Sequence, residues 1–467
     1  MFYISLSKAT TTDSRHPHHG IFKFNLLGKV VYHVGSTDEA TMRAICMNRD
    51  LSFSGGNSFL FAGIQGAGQK GLNEQGKVDA EEKREMMAIA KAISPARLSR
   101  MRALLTSDAL EAYNNWLGGN KTAVVDLQQT YYPLIFRFTV RLMGMAEYAD
   151  DPATLQRLQK GFWQTQRNSG FWTTMFPWLP QPRLLTRIYG ALTLWNMARM
   201  TVAKRVADGR REEDFAQNLI DDGMDNGKIS RWVIGALLAG ILNTIGTGAY
   251  TVAFLGADQE LRAAVRDEVV TTLQESAAAR GDDYESLSLQ EALERVGLSE
   301  WEDKFPLLHD CFKESIRLLL TNSLNRYYPG PGRDAKGNVV RERLVIDGHA
   351  IEDDVYVTFS PPSNLHDADS FHQPFRFDPR RYKNRGEGQS DWTYIAWGAG
   401  HHKCTGMRFA KLETVVAIAS LLMAVDDFET VDDRGSLYTL DTIPLPDLSQ
   451  SHWREPTRPM RVRLNAR

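Results

Sequence analysis

Paired cysteines are missing from this sequence. Its 467 residues hold only Cys46, Cys311 and Cys404, widely spaced and with no CxxC pair. Neither a disulfide framework nor a structural zinc site can be assembled from them, so each cysteine has to be explained singly. A dominant charge is missing too. Lysine plus arginine number 55 against 57 aspartate plus glutamate, for a formal net charge of -2. That balance excludes the basic surface of a nucleic-acid binder and leaves room only for local basic patches. Internal repeats and low-complexity linkers are absent. The opening MFYISLSKATTTDSRHPHHG lacks both the charged start and apolar run of a secretory signal and a spanning segment, so the chain as given reads as soluble.

One stretch contests that reading. Residues 232–257 (WVIGALLAGILNTIGTGAYTVAFLGA) carry no charge and are long enough to cross a bilayer. Asn243, Thr244, Thr247, Tyr250 and Thr251, with four glycines, make one side polar and small, which favours a long helix buried in a large core. Ser230 is its expected N-cap and Gly256 its expected end.

Around it, residues 21–35 alternate as a β-hairpin turning at Leu27-Gly28, and a helix is expected over 37–48. Helical periodicity dominates from Asp79 to Met200, interrupted by GFWTTMFPWLPQP. The charged stretch 208–228 reads as a surface connection. Helices are expected at 257–275, 306–320 and 407–424, with Pro329-Gly330-Pro331-Gly332 as a breaker, short strands RLVID and VYVTFS around a turn at Gly348, and an edge strand in the terminal MRVRL. The sum is a mainly helical body with a minor β part in one continuous domain, 1–467.

The chemistry concentrates in TYIAWGAGHHKCTGMRFAKLE, where Cys404 sits in a glycine-punctuated loop just before a helix. Gly398, Gly400 and Gly406 remove Cβ atoms where backbone must turn tightly or approach a flat ligand. A helix opening after Cys404 turns its free amides and positive end toward the sulfur and favours thiolate. A structural buried cysteine is the plain alternative, and the surrounding glycines argue against it.

The run WxxGxxxCxG from Trp397 to Gly406 resembles the heme-binding signature of the cytochrome P-450 family, with Trp397 where the family usually has Phe. The resemblance implies the P-450 fold: a long central helix over heme b (iron protoporphyrin IX), and the cysteine loop on the proximal side with Cys404 as the iron ligand. His402 and Arg326 would meet the propionates, and Trp397, Gly398 and Gly406 would complete the cofactor site. Ala410 matches the family's small residue on the following helix. Glu314 and Arg317, one turn apart, match its ExxR pair. Arg381, in FDPRRY, supplies the downstream arginine, so the three would form a structural network.

At Ala239 to Thr244 the chain reads AGILNT, with Leu242 at the family's usual acid and Asn243 at its threonine. This resembles the sterol 7α-hydroxylase and prostacyclin synthase branch. Asn243, or Thr244 after a one-residue shift, becomes the candidate distal catalytic group. The implied activity is oxidation of a small lipophilic or aromatic metabolite by hydroxylation, coupling or cyclisation, using O2 and electrons from NADPH through a partner reductase. A redox-silent isomerase or dehydratase is the alternative. The resemblance also implies a native N-terminal anchor at the cytoplasmic face of the endoplasmic reticulum, beyond the start of this chain.

Four other features need assignment. Gly66-Ala-Gly68-Gln-Lys-Gly71 formally matches GxGxxG, but LNEQGKVD follows where a dinucleotide-binding helix should open, so it reads as a mobile loop, and the resemblance implies that 54–71 borders the substrate pocket. Phe162, Trp163, Phe171, Trp172, Phe176 and Trp178 are core aromatics or, by family position, a lid. His16, His18 and His19 lie in a polar loop and are assigned to solvent. Arg380, Arg381, Lys383, Arg385, Lys403, Arg408 and Lys411 stand against Glu387 and Asp391 as a basic patch suited to an acidic redox partner.

Overall fold

The computed structural model describes residues 20–26, 28–35, 38–53, 55–56, 84, 86–166, 179, 181–320, 323–332, 338–446 and 456–467. The glycine motif 66–71, the aromatics 171–178 and the histidines 16–19 lie outside them. The chain runs β1 (Ile21–Leu26), β2 (Lys29–Val34), α1 (Glu39–Cys46), α2 (Pro95–Leu117), β3 (Thr122–Asp126), α3 (Leu127–Met143), α4 (Pro152–Gln166), α5 (Pro182–Ala207) and α6 (Asn226–Ala257). It continues through α7 (Gln259–Ala278), α8 (Pro306–Leu319), β4 (Leu324–Tyr328), β5 (Val345–Ile346), β6 (His349–Ala350), β7 (Val355–Phe359), α9 (Met407–Ala424), β8 (Val425–Val431) and β9 (Arg461–Ala466), with shorter helical turns between. Among the described residues the strands form three small sheets, ordered β1-β2-β7-β4, β3-β9-β8 and β5-β6.

Helix α6 starts earlier than Ser230. Asp225 caps it by accepting the Lys228 amide, and Ser230 sits one turn inside with its hydroxyl donated to the Asn226 carbonyl at 2.8 Å. The first turn is polar, so apolar periodicity begins after the helix does. At the other end Gly256 lies within the last turn, where a Cβ would collide with Thr430 of β8. About half of α6's most apolar window is buried, and α6 packs on α3, α5, α8 and α9 as a core helix. Helix α9 is buried on almost every side. Its neighbour α8 has its N-terminus capped from α7, whose Glu268 accepts the Leu307 and Leu308 amides at 2.8 and 3.0 Å.

Two further expectations are corrected. The terminal strand β9 is the centre of its sheet, paired antiparallel to β3 and to β8. The stretch 208–228 holds a helix, Phe215–Asp221, capped by fully buried Asp214, which is salt-bridged to Arg205 at 2.6 Å. The breaker Pro329–Gly332 follows β4, since α8 has already ended at Leu319.

Candidate functional site

Cys404 stands between a tight loop and α9. Its amide donates to the Trp397 carbonyl at 2.7 Å, closing the loop, and its sulfur accepts from the Gly406 and Met407 amides at the opening of α9. Burial pushes the thiol up from its usual value while these two amides pull it down. Gly398 and Gly400 have φ of +70° and +64°. A side chain there would be strained, and at Gly400 it would also strike the carbonyl of Cys46 at the end of α1. Gly406 has an ordinary φ of -82°, and a Cβ there would meet only the Cys404 sulfur, at an ordinary contact of 4.0 Å.

Arg326 on β4 and His402 meet at one ring. The guanidinium lies over Phe53 at 5.0 Å and the imidazole stacks on it at 5.6 Å with a 15° tilt. Burial, then the neighbouring Arg326 guanidinium and His401, push His402 down to about 4, so it is neutral near pH 7. Trp397 packs toward Phe312 of α8, ring centres 6.3 Å apart.

Behind the loop, Glu314, Arg317 and Arg381 are all fully buried in one network. Arg317 donates Nε and Nη2 to the two Glu314 oxygens at 2.8 Å each, and Arg381 Nε donates to Glu314 at 3.0 Å. The Tyr382 hydroxyl and the Asp378 amide also donate to that carboxylate. Arg317 holds the carbonyls of Leu365, Pro374 and Arg376, and Arg381 holds those of His372 and Gln373. Glu387 pairs with Arg381 at 2.6 Å and brings the formal charge to zero. The Tyr394 hydroxyl then ties the segment leading into the cysteine loop to the Lys313 carbonyl of α8. Glu387 and Tyr382 had no periodic signature that would reveal their part.

On α6, Asn243 and Thr244 face different ways. Ala239 and Asn243 are exposed, with Leu242, Gly246 and Thr247 half-buried, and a Cβ on Gly235 or Gly246 would meet no atom within 4 Å. This is one stripe of the helix. Thr244 turns the other way. It is buried, its hydroxyl donating to the Gly240 carbonyl at 3.0 Å and reaching Glu413 of α9, so the one-residue shift that would make it the distal hydroxyl is not supported. Glu413, which sequence reasoning passed over, is fully buried. Burial raises its carboxyl well above the usual range against the Thr139 and Thr244 hydroxyls, so it stands as a neutral acid.

The basic patch is also more mixed than it reads. Arg381 is buried in the network, Arg385 pairs with Asp378 and Glu387, Lys403 with Asp391, Arg408 with Glu302 and Arg380 with Glu260.

The donor set fits heme. A sulfur steadied by two amides suits a soft thiolate ligand to iron. A cation and an imidazole on one ring suit acidic propionates, and the small residues Gly235, Ala239 and Gly246 on the open stripe of α6 suit a flat macrocycle. Among the described residues no cluster of three or more His, Cys, Asp or Glu competes as a metal site.

Comparison with known proteins bears on the same elements. The cytochrome P450 monooxygenase AacuE of Aspergillus aculeatus is 26% identical over 71% of this chain and 64% of its own length. The cytochrome P450 monooxygenase nsrP of Aspergillus novofumigatus is 26% identical over 64% and 56%. Bovine lanosterol 14-alpha demethylase is 25% identical over 55% and 46%. The chain thus spans less than two thirds of these relatives' lengths. The family model described as Cytochrome P450 matches residues 195–429, just over half the chain, a span holding α6, the Glu314 network and the Cys404 loop. The cysteine loop, the buried network behind it and this match agree that the chain belongs to the cytochrome P450 family.

Proposed function

We propose that the chain is the catalytic domain of a heme-thiolate monooxygenase that oxidises a small lipophilic or aromatic metabolite with O2. The observation that carries the reading is the Cys404 loop, with the Gly406 and Met407 amides on its sulfur. Bound heme iron, with electron density pushed from the thiolate, supplies oxygen activation. The protein's own part is then to hold and to exclude. Cys404 would hold the iron, Arg326 and His402 the propionates, and Trp397, Gly398 and Gly406 the space beneath the ring. The Glu314–Arg317–Arg381 network fixes the loop and takes no part in proton movement.

Above the ring, the open stripe of α6 would admit the substrate. Leu242 cannot carry a proton, so Asn243 is the group that orders water there. Its amide Nδ2 donates to the Ala239 carbonyl at 3.0 Å. The relatives AacuE, nsrP and dmxR5 are each named a cytochrome P450 monooxygenase, which supports oxygen insertion or oxidative coupling over isomerisation. Electrons from NADPH through a partner reductase, and a native place at the cytoplasmic face of the endoplasmic reticulum, belong to this proposal, with family membership supporting a redox partner in general.

The test is a reconstitution with a NADPH-dependent reductase and metabolite extracts that shift the Soret band. Product should require NADPH and O2 together. Product formed anaerobically and without reductant, from a substrate other than a peroxide, would replace this reading with an isomerase.

A further inference from the structure

The segment that follows α1 is fastened at both ends to the elements that carry His402 and Arg326. At its start it lies against the cysteine loop, where a Cβ on Gly400 would come within 2.4 Å of the Cys46 carbonyl oxygen and 2.9 Å of the Met47 sulfur. At its far end Ser52 forms an antiparallel bridge with Tyr327 of β4. The Ser52 amide donates to the Tyr327 carbonyl at 2.8 Å, and the Tyr327 amide donates to the Ser52 carbonyl at 2.9 Å. The chain then turns tightly. The Gly55 amide donates to the Ser52 hydroxyl at 3.1 Å and the Gly56 amide to the Ser52 carbonyl at 3.2 Å. Gly56 comes down on β4 so closely that a Cβ there would lie 2.3 Å from the Asn325 carbonyl oxygen and 2.5 Å from the Arg326 Cα. Only a residue without a side chain lets the turn rest on the strand at the arginine itself.

Phe53 stands between these two attachments to β4. Its half-buried ring has the Arg326 guanidinium over it at 5.0 Å and the His402 imidazole stacked at 5.6 Å with 15° between the planes. The two groups reach it from distant parts of the chain, Arg326 from β4 and His402 from the short helical turn Gly400–His402. The ring is the surface they share, and the backbone on both sides of it is pinned.

Backbone geometry alone leaves both side chains free to rotate. An arginine loses more rotamer freedom than most residues when it is held, and a ligand that must order it on arrival binds less tightly than one that finds it in place. A flat aromatic face holds a guanidinium by cation–π attraction and an imidazole by stacking. A leucine would fill the same space and do neither. We propose that Phe53 is a positioning residue for the cofactor's carboxylates, setting the Arg326 guanidinium and the His402 imidazole where the propionates of heme meet them. This rests on the heme-thiolate reading, in which those two side chains hold the propionates, and Phe53 acts on the cofactor through them.

The test uses the heme-loaded full chain. Phe53→Leu should keep the long-wavelength Soret band of the reduced, CO-bound form, because Cys404 is untouched. It should pass heme to excess apomyoglobin about 5-fold faster than wild type, about 1 kcal/mol at 1.4 kcal/mol per tenfold. Resonance Raman separates positioning from general loosening: the propionate bending mode should move in Phe53→Leu while the iron–sulfur stretch stays. Phe53→Tyr keeps the ring and should match wild type in both readings. Heme loss at the wild-type rate, faster loss with the propionate mode unmoved, or a Phe53→Tyr protein that loses heme like Phe53→Leu would each overturn the assignment. A Phe53→Leu protein that fails to fold would overturn it as well, because a half-buried ring that acts only through two side chains does not hold the fold. A wild-type protein whose reduced, CO-bound form lacks the long-wavelength band would instead sink the heme-thiolate reading, and the role of Phe53 with it.

Discussion

Replacing Glu314 with glutamine keeps the shape of the side chain and removes its charge. Its carboxylate accepts from Arg317 Nε, Arg317 Nη2, Arg381 Nε, Asp378 N and the Tyr382 hydroxyl. One oxygen takes Arg317 Nη2, Arg381 Nε and Asp378 N, and the other takes Arg317 Nε and Tyr382. Whichever oxygen becomes NH2, at least one guanidinium N–H then faces another donor. The buried charges also stop balancing, since Arg317 and Arg381 are left with Glu387 alone. Breaking a buried ion pair in this way costs about 3–5 kcal/mol, a large part of the 5–15 kcal/mol that holds a typical protein folded. At about 2 °C per kcal/mol for a large chain, the melting temperature should fall roughly 6–10 °C, with a matching loss of bound heme per polypeptide. The control is Glu302→Gln, whose Arg408 partner is 39% exposed and which should cost under about 1 kcal/mol. Scanning calorimetry and the heme-to-protein absorbance ratio read both variants. If Glu314→Gln melted and loaded heme like Glu302→Gln, the claim that this network holds the cysteine loop would be wrong.

Asn243→Ala should uncouple the reconstituted enzyme, so that NADPH is consumed with hydrogen peroxide released in place of product. Thr244→Ala should act mainly on stability, by about 1–3 kcal/mol, because it strips one hydroxyl from buried Glu413. The reverse pattern would make Thr244 the distal group after all. Asp310 supplies a pH test. Burial, with Glu268 and Glu314 and against Lys313 and Lys383, raises its carboxyl from 3.8 to about 6. A raised folded-state value favours the protonated form, so its contribution is complete below pH 4 and is lost as pH rises through 6. Asp310→Asn should therefore match wild type near pH 4 and exceed it by about 3 kcal/mol near pH 8 in urea unfolding. A difference independent of pH would remove the assignment.

The parts of this protein legible in its sequence are those whose reason is local. Cys404 could be read because the positive-φ glycines, the sulfur and the opening of α9 lie within ten residues of one another. The network could be read only in outline. Glu314 and Arg317 share a helix face by spacing, whereas Glu387 and Tyr382 join through a tertiary approach that leaves no period. Successive helix residues differ by about 100° in direction, so AGILNT alone could not say whether Asn243 or Thr244 faces the open stripe. It took the packing of α6 on α3 and α9 to turn Thr244 inward. The start of α6 was missed because Asp225 and Ser230 are both good caps, and the polar turn between them carries no apolar signal. Strand β9 read as an edge because alternation reports which face is buried and says nothing of how many neighbours a strand has.

The central claim is that Cys404 holds a heme iron as thiolate, and the most direct measurement is the absorption spectrum of the reduced, CO-bound protein beside that of Cys404→Ala. Wild type should show the long-wavelength Soret band of thiolate-ligated heme, and Cys404→Ala should lack it even where some heme is retained. A wild-type spectrum without that band, or a Cys404→Ala spectrum that keeps it, would contradict the account.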